Sequence, residues 1–126
     1  MLSLLTVDDE PAVLRALRRV LSPHFTVHQA ADYREAVAIL QRSPMDIVIS
    51  DCVMPGPSGL DLLTLVAERY PATVRVMLSA APPAAVAGAI RLGVVHRLLV
   101  KPWDRDLAQT ILATHAEVRG LADQSD

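Results

Sequence analysis

The stretch Asp46-Ile47-Val48-Ile49-Ser50-Asp51 runs three β-branched apolar residues through one small hydroxyl into a carboxylate. An apolar run of strand length without polar alternation reads as a strand covered on both faces, the kind that builds parallel sheets. Working outward, similar runs lie at residues 2–7, 25–29, 74–78 and 96–100, which with 46–50 makes five. Each is followed by a helical pattern, near residues 11–21, 33–41, 58–70, 84–92 and 105–119. In the first of these, Val13, Leu14, Leu17, Val20 and Leu21 fall on one stripe, and Pro11 sits in the first turn, where its missing N–H costs nothing. Ser22-Pro23 stops that helix, and Gly93 is placed to stop the fourth. Strict alternation of strand and helix predicts an α/β fold: a doubly wound five-stranded parallel sheet with helices on both faces, since right-handed crossovers must cover each side.

With 126 residues, 52% of them hydrophobic, the chain can close one core without disulfides or structural metal. One domain is expected over residues 1–121, with 122–126 a frayed polar tail. The lone Cys52 reads as a small buried filler, and the four histidines have no metal-ligand spacing, so a reducing cytoplasm is the expected setting. The N-terminus lacks the basic flank of a signal peptide, and no apolar run approaches the roughly 20 residues of a membrane helix. A net charge of −2 argues against a nucleic-acid surface, so the expected partners are proteins, with neither nucleic acid nor membrane contacted directly. Of 12 Lys and Arg residues only Lys101 is lysine, a choice that suits a site needing a compact ammonium rather than a planar fork.

In open parallel sheets ligands bind beyond the carboxyl ends of the strands. The first run ends in Asp8-Asp9-Glu10, the third in Asp51, the fourth in Ser79 and the fifth in Lys101-Pro102, while the second ends in Gln29-Ala30-Ala31 and offers little. If the first and third strands are neighbours, three carboxylates meet, and they raise one another's pKa unless a cation offsets the charge. Mg²⁺ is the natural candidate, being held typically by one or two carboxylates together with a phosphate oxygen. Lys101 and Ser79 would then serve the phosphoryl oxygens, leaving an Asp carboxylate as nucleophile. Taken singly, Asp8 and Asp9 read better as caps of the first helix, and Ser79 as the cap of a turn, than as site residues. Asp51 is different, because a carboxylate closing an apolar run is costly unless paired or functional.

Four segments, Val7-Asp8-Asp9-Glu10-Pro11, Asp51-Cys52-Val53-Met54-Pro55 with Gly59, Ser79-Ala80, and Lys101-Pro102, stand in an order that resembles the response regulator receiver domain of two-component signalling over nearly the whole chain. The resemblance implies a flavodoxin-like strand order 2-1-3-4-5 and Asp51 as phosphoacceptor. It implies Asp51, Asp9 and the Val53 backbone carbonyl as Mg²⁺ ligands, with Asp8 assisting through water. Ser79, Ala80 and Lys101 would hold the phosphoryl group, and Met54, Pro55, Gly59 and Pro102 would shape the surrounding loops, the bond before Pro102 being often cis in this family. The implied partners are a sensor histidine kinase or histidine phosphotransfer protein and an output domain or downstream protein; metabolic enzyme activity is not implied. Residues 96–104 are further similar to receivers attached to cyclic-di-nucleotide phosphodiesterases or hybrid kinases.

The sequence departs from the family where a Tyr or Phe usually stands three residues before the lysine, since position 98 is Leu98. Pro82-Pro83 also stiffens the loop after Ser79. Phosphorylation is expected to persist, and the usual ring movement is not. Two other classes compete. A degenerate binding module that is never phosphorylated is opposed by Asp9, Asp51 and Lys101. An aspartate-nucleophile phosphatase of the haloacid dehalogenase type needs a D-x-D signature, where Asp8-Asp9-Glu10 puts glutamate in place of the second aspartate. A flavodoxin-like nucleotide binder would need a glycine-rich loop after the first strand. Finally, Leu107, Ile111, Thr114, Val118 and Leu121 recur at alternating spacings of four and three. Core packing is expected for Leu107 and Ile111, while Val118 and Leu121 suit either the core or a homodimer through the fourth and fifth helices.

Overall fold

The structure, a computed structural model, describes the backbone of residues 1–124 and the side chains of residues 1–121. Its elements alternate throughout: β1 (Ser3–Val7), α1 (Pro11–Leu21), β2 (Thr26–Ala30), α2 (Tyr33–Arg42), β3 (Ile47–Ser50), α3 (Gly59–Arg69), β4 (Val74–Ser79), α4 (Ala85–Arg91), β5 (Arg97–Val100) and α5 (Leu107–Gln124). The five strands are parallel in the order β2-β1-β3-β4-β5, as expected. The chain leaves β1 in both directions across the sheet, which opens a crevice between the ends of β1 and β3.

The pleat divides the core into two layers. Leu4, Ile47, Ile49, Val76 and Leu78 face α1 and α5, meeting Leu17, Leu21, Leu107 and Ile111, with Phe25 closing the cluster. Leu5, Val7, Val48 and Met77 face the other way, against Ala36 and Leu40 of α2, Leu62, Leu63 and Val66 of α3, and Val86 of α4. Local chemistry sets the helix starts. Pro11 opens α1, Asp32 accepts from the Glu35 amide at α2, and Ser58 with Asp61 forms a reciprocal capping box at α3. Gly93 takes a positive φ of 79° two residues beyond α4, where a side chain would be strained.

Three expectations are corrected. Only β1, β3 and β4 are buried on both faces; β2 and β5 form the sheet's edges and stay half-exposed, because neither has a neighbour on its outer side. The last helix starts at Leu107, after a turn in which Asp104 accepts from the Asp106 amide, and not at residue 105. It also runs on to Gln124 instead of stopping at 119, so the first three residues of the expected tail are helical, while 125–126 lie outside the described residues. Along α5, Leu107, Ile111 and Thr114 are buried and Val118 packs on the core, whereas Leu121 is 67% exposed. One residue of β4 defies its apolar setting, since Arg75 is only 6% exposed. No helix among the described residues is long and apolar enough to cross a membrane.

Leu63 is fully buried between α3 and the sheet, so Leu63→Ala is expected to lower stability by about 2–5 kcal/mol, the usual cost of the lost transfer energy plus the cavity left behind. Urea unfolding checks this as a lower midpoint at unchanged slope.

Candidate functional site

Beyond the ends of β1 and β3 the backbone fixes two carboxylates close together. The Asp8 amide donates to the Ala30 carbonyl at 3.1 Å, and the Asp51 amide donates to the Val7 carbonyl at 2.9 Å, so both residues are held by sheet hydrogen bonding one step past the strands. Asp8 Oδ1 accepts from the Glu10 amide at 2.9 Å, turning the chain into α1. Asp8 does not cap α1, whose N-cap is Glu10 without a side-chain cap; its bond to the Glu10 amide shapes the turn that precedes the helix. Asp51 Oδ1 accepts from the Cys52 amide at 2.9 Å. Asp9 is exposed, and carboxylate oxygens of Asp8, Asp9 and Asp51 lie within 4.8 Å of one another.

Lys101 arrives from β5, where its amide donates to the Ser79 carbonyl at 3.0 Å and the bond to Pro102 is cis. Its Nζ donates to Asp8 Oδ2 at 2.6 Å and stands 3.5 Å from Asp51 Oδ1. Asp8 is 2% exposed, so this bond is a largely desolvated, charge-assisted one. Burial pushes the Asp51 carboxyl above its ordinary range, with the Asp8 charge adding to the rise and Lys101 opposing it. Burial alone would lower the Lys101 ammonium, but the Asp8 hydrogen bond and the charges of Asp8 and Asp51 outweigh it and hold it above its ordinary value. Three carboxylates against one ammonium leave an excess of negative charge among hard oxygen donors, which fits a hard divalent cation.

The loop after Asp51 is shaped by one close approach. The Gly59 amide donates to the Cys52 carbonyl at 2.8 Å, and a Cβ on Gly59 would lie 1.8 Å from the Asp51 carbonyl oxygen. The Ser50 hydroxyl donates to that same oxygen at 2.8 Å, a support that the sequence reading missed although Ser50 stands beside Asp51. Gly56, with φ of 80°, turns the loop between Pro55 and Pro57, while Met54 anchors it in the core and Val53 is 71% exposed. Cys52 is buried, and burial followed by the Asp51 charge pushes its thiol pKa up.

The structure therefore gathers Asp8, Asp9, Asp51 and Lys101. Ser79 ends the neighbouring strand, 3% exposed, with a hydroxyl that makes no hydrogen bond among the described residues, and Ala80 follows it at the surface. Leu98 pairs with Met77 and packs half-buried on the face covered by α4, so an aliphatic chain fills the place where the family resemblance would put a ring. The link from Lys101 to Asp8, shorter than that to Asp51, had no signal in the sequence because it spans 93 positions.

The response regulator receiver domain family matches residues 4–113. Hydrogenase transcriptional regulatory protein HoxA of Cupriavidus necator is 34% identical over 121 residues, covering 94% of this chain and 25% of that protein. Response regulator protein PilR of Pseudomonas aeruginosa is 32% identical over 117 residues, covering 91% and 26%. The chain thus spans about a quarter of the length of these curated relatives. Among solved structures, the signal receiver domain of an HD domain-containing protein from Pseudomonas fluorescens Pf-5 superposes with a TM-score of 0.86 at 33% identity, covering 94% of this chain and 96% of that one. A CheY-like receiver domain from Methanospirillum hungatei JF-1, at 22% identity, shares the fold with a TM-score of 0.86 over 93% and 96% of the two chains.

Gly59→Ala forces backbone apart at Asp51, because the added carbon would meet a carbonyl oxygen and not a flexible side chain. A loss of about 1–3 kcal/mol is expected in urea unfolding, the usual range for overpacking, together with weaker divalent-ion binding measured by calorimetry.

Proposed function

This chain belongs to the response regulator receiver domain family, and from that we propose that Asp51 takes a phosphoryl group from a phosphohistidine on a sensor histidine kinase or histidine phosphotransfer protein. A carboxylate oxygen of Asp51 forms the new bond to phosphorus as the phosphorus–nitrogen bond of the donor breaks, and the departing imidazole nitrogen takes a proton. Water later cleaves the acyl phosphate and restores the carboxylate. The observation that supports this best is the cluster of Asp8, Asp9 and Asp51 with the Lys101 ammonium already bridging two of them. Lys101 lies within reach of a phosphoryl oxygen on Asp51, and the unengaged Ser79 hydroxyl, flanked by Ala80, supplies a second donor.

Asp9, Asp51 and the Val53 carbonyl would hold Mg²⁺, with Asp8 assisting through water. Bound there, the ion offsets the charge of the carboxylates and of the incoming phosphoryl group. Met54, Pro55, Gly59 and Pro102 keep the surrounding loops in place for that arrangement. The change in shape is carried by packing around Leu98 and the Pro82-Pro83 loop in place of a ring; coupling of this kind typically needs about 1–3 kcal/mol of differential contact. HoxA and PilR, of which this chain matches a quarter, are named as regulators, so the signal passes to an output domain or a downstream protein in the cytoplasm, without metabolic turnover. The exposed Ile90, Leu92, Val100 and Leu121 suit a homodimer through α4 and α5.

Incubation with Mg²⁺ and a small acyl-phosphate donor, followed by intact-mass measurement, is expected to show one labile phosphoryl addition. Asp51→Asn and chelation of the metal should each abolish it, and Lys101→Ala should slow it. A native chain that stays unmodified with both small donors and kinases refutes the proposal, and repeated turnover of a chromogenic phosphate ester would point to a phosphatase.

A further inference from the structure

Arg75 is a buried cation without a carboxylate. Among the described residues both ion pairs belong to Lys101, and the Arg75 guanidinium is instead spread over four backbone carbonyls. Nε donates to Val94 at 2.9 Å, one terminal nitrogen donates to Pro71 at 3.2 Å and Thr73 at 2.8 Å, and the other donates to Gly93 at 2.9 Å. These carbonyls come from the two turns that enter β4 and β5, and the pair at 93 and 94 lies just past α4, where carbonyls lose their helical partners. One side chain therefore ties the end of α4 to the base of β4.

His96 completes the arrangement. Its amide donates to the Arg75 carbonyl at 2.8 Å, its Nδ1 accepts from the Arg75 amide at 2.9 Å, and its Nε2 lies 3.2 Å from the guanidinium. Only an unprotonated Nδ1 accepts that amide, so the ring proton of the neutral form sits on Nε2, where it faces a guanidinium N–H and makes no hydrogen bond with it. A second proton would set a donor against a donor at Nδ1 and place two cations side by side in a half-buried site. We propose that Arg75 and His96 form an acid-sensitive latch that fixes the end of α4 to the β4–β5 edge only while the imidazole is neutral. Arg75, from β4, is the charged group that acts on the ring; the adjacent Arg97 is exposed, and no carboxylate bonds to either member among the described residues.

Burial, then the Arg75 charge, depresses the His96 pKa to about 4. A depressed folded-state value means that the unfolded chain binds the extra proton first. The stabilisation is complete above the ordinary histidine value of about 6.5, is lost as pH falls from there toward 4, and falls no further below that. The latch needs no phosphoryl group at Asp51 to open or close.

The test titrates the His96 ring by NMR in the full chain and compares urea unfolding of the native chain with His96→Asn, whose amide oxygen takes the place of Nδ1 and cannot titrate. A ring midpoint near 4 is expected, and between pH 7 and pH 5 the folded-to-unfolded ratio of the native chain should fall on the order of tenfold more than that of the variant. A midpoint at or above the ordinary value, or equal falls for the two proteins, would overturn the latch. If the variant does not fold, the native ring titration alone decides.

Discussion

The charge-assisted bond from Lys101 to Asp8, 2.6 Å long across the carboxyl edge of the sheet, is the contact on which the arrangement of the site rests. Asp8 is nearly solvent-free, and a carboxylate in that position needs a partner of opposite charge. The partner arrives from the far end of the chain, on the outermost strand, so the site exists only when all of β1, β3, β4 and β5 stand in register. Fold and site are one construction here: the parallel order that buries Ile47, Val48 and Ile49 also delivers Asp51 to the place where Asp8 and Lys101 meet.

A second constraint is volumetric. The loop after Asp51 returns so closely that Gly59 packs its backbone on the Asp51 carbonyl, with the Ser50 hydroxyl bonded to the same oxygen. Asp51 is thus held from its main chain by three groups, the Val7 carbonyl, Ser50 and Gly59, leaving the carboxylate itself to answer to Lys101 and the Cys52 amide. A rigid main chain under a chemically responsive side chain is the arrangement expected of a group that must react without being displaced.

Most of the architecture was legible because parallel sheets write themselves into sequence as unbroken apolar runs, and because Pro11, Ser22-Pro23 and Gly93 punctuate helices by local rules. The charged members of the site were legible for the same reason, standing where runs end. What escaped was long-range or cooperative. The edge positions of β2 and β5 were not told apart from the central runs; the strand order came by family resemblance. The helical continuation of α5 to Gln124 was hidden because Gly120 and the polar residues after it read locally as a frayed end. Arg75 was read as part of an apolar strand, since its satisfaction by carbonyls 18 and 19 positions away has no local signature.

The buried Cys52 carries a practical consequence. It is the chain's single thiol, it lies directly after the acceptor, and its raised pKa keeps it in the poorly nucleophilic protonated form. Alkylating reagents will find it only in molecules whose 51–59 loop has lifted off the core. The protein thereby carries its own clock for that loop, one whose ticking is read from the rate of covalent labelling without any probe being introduced.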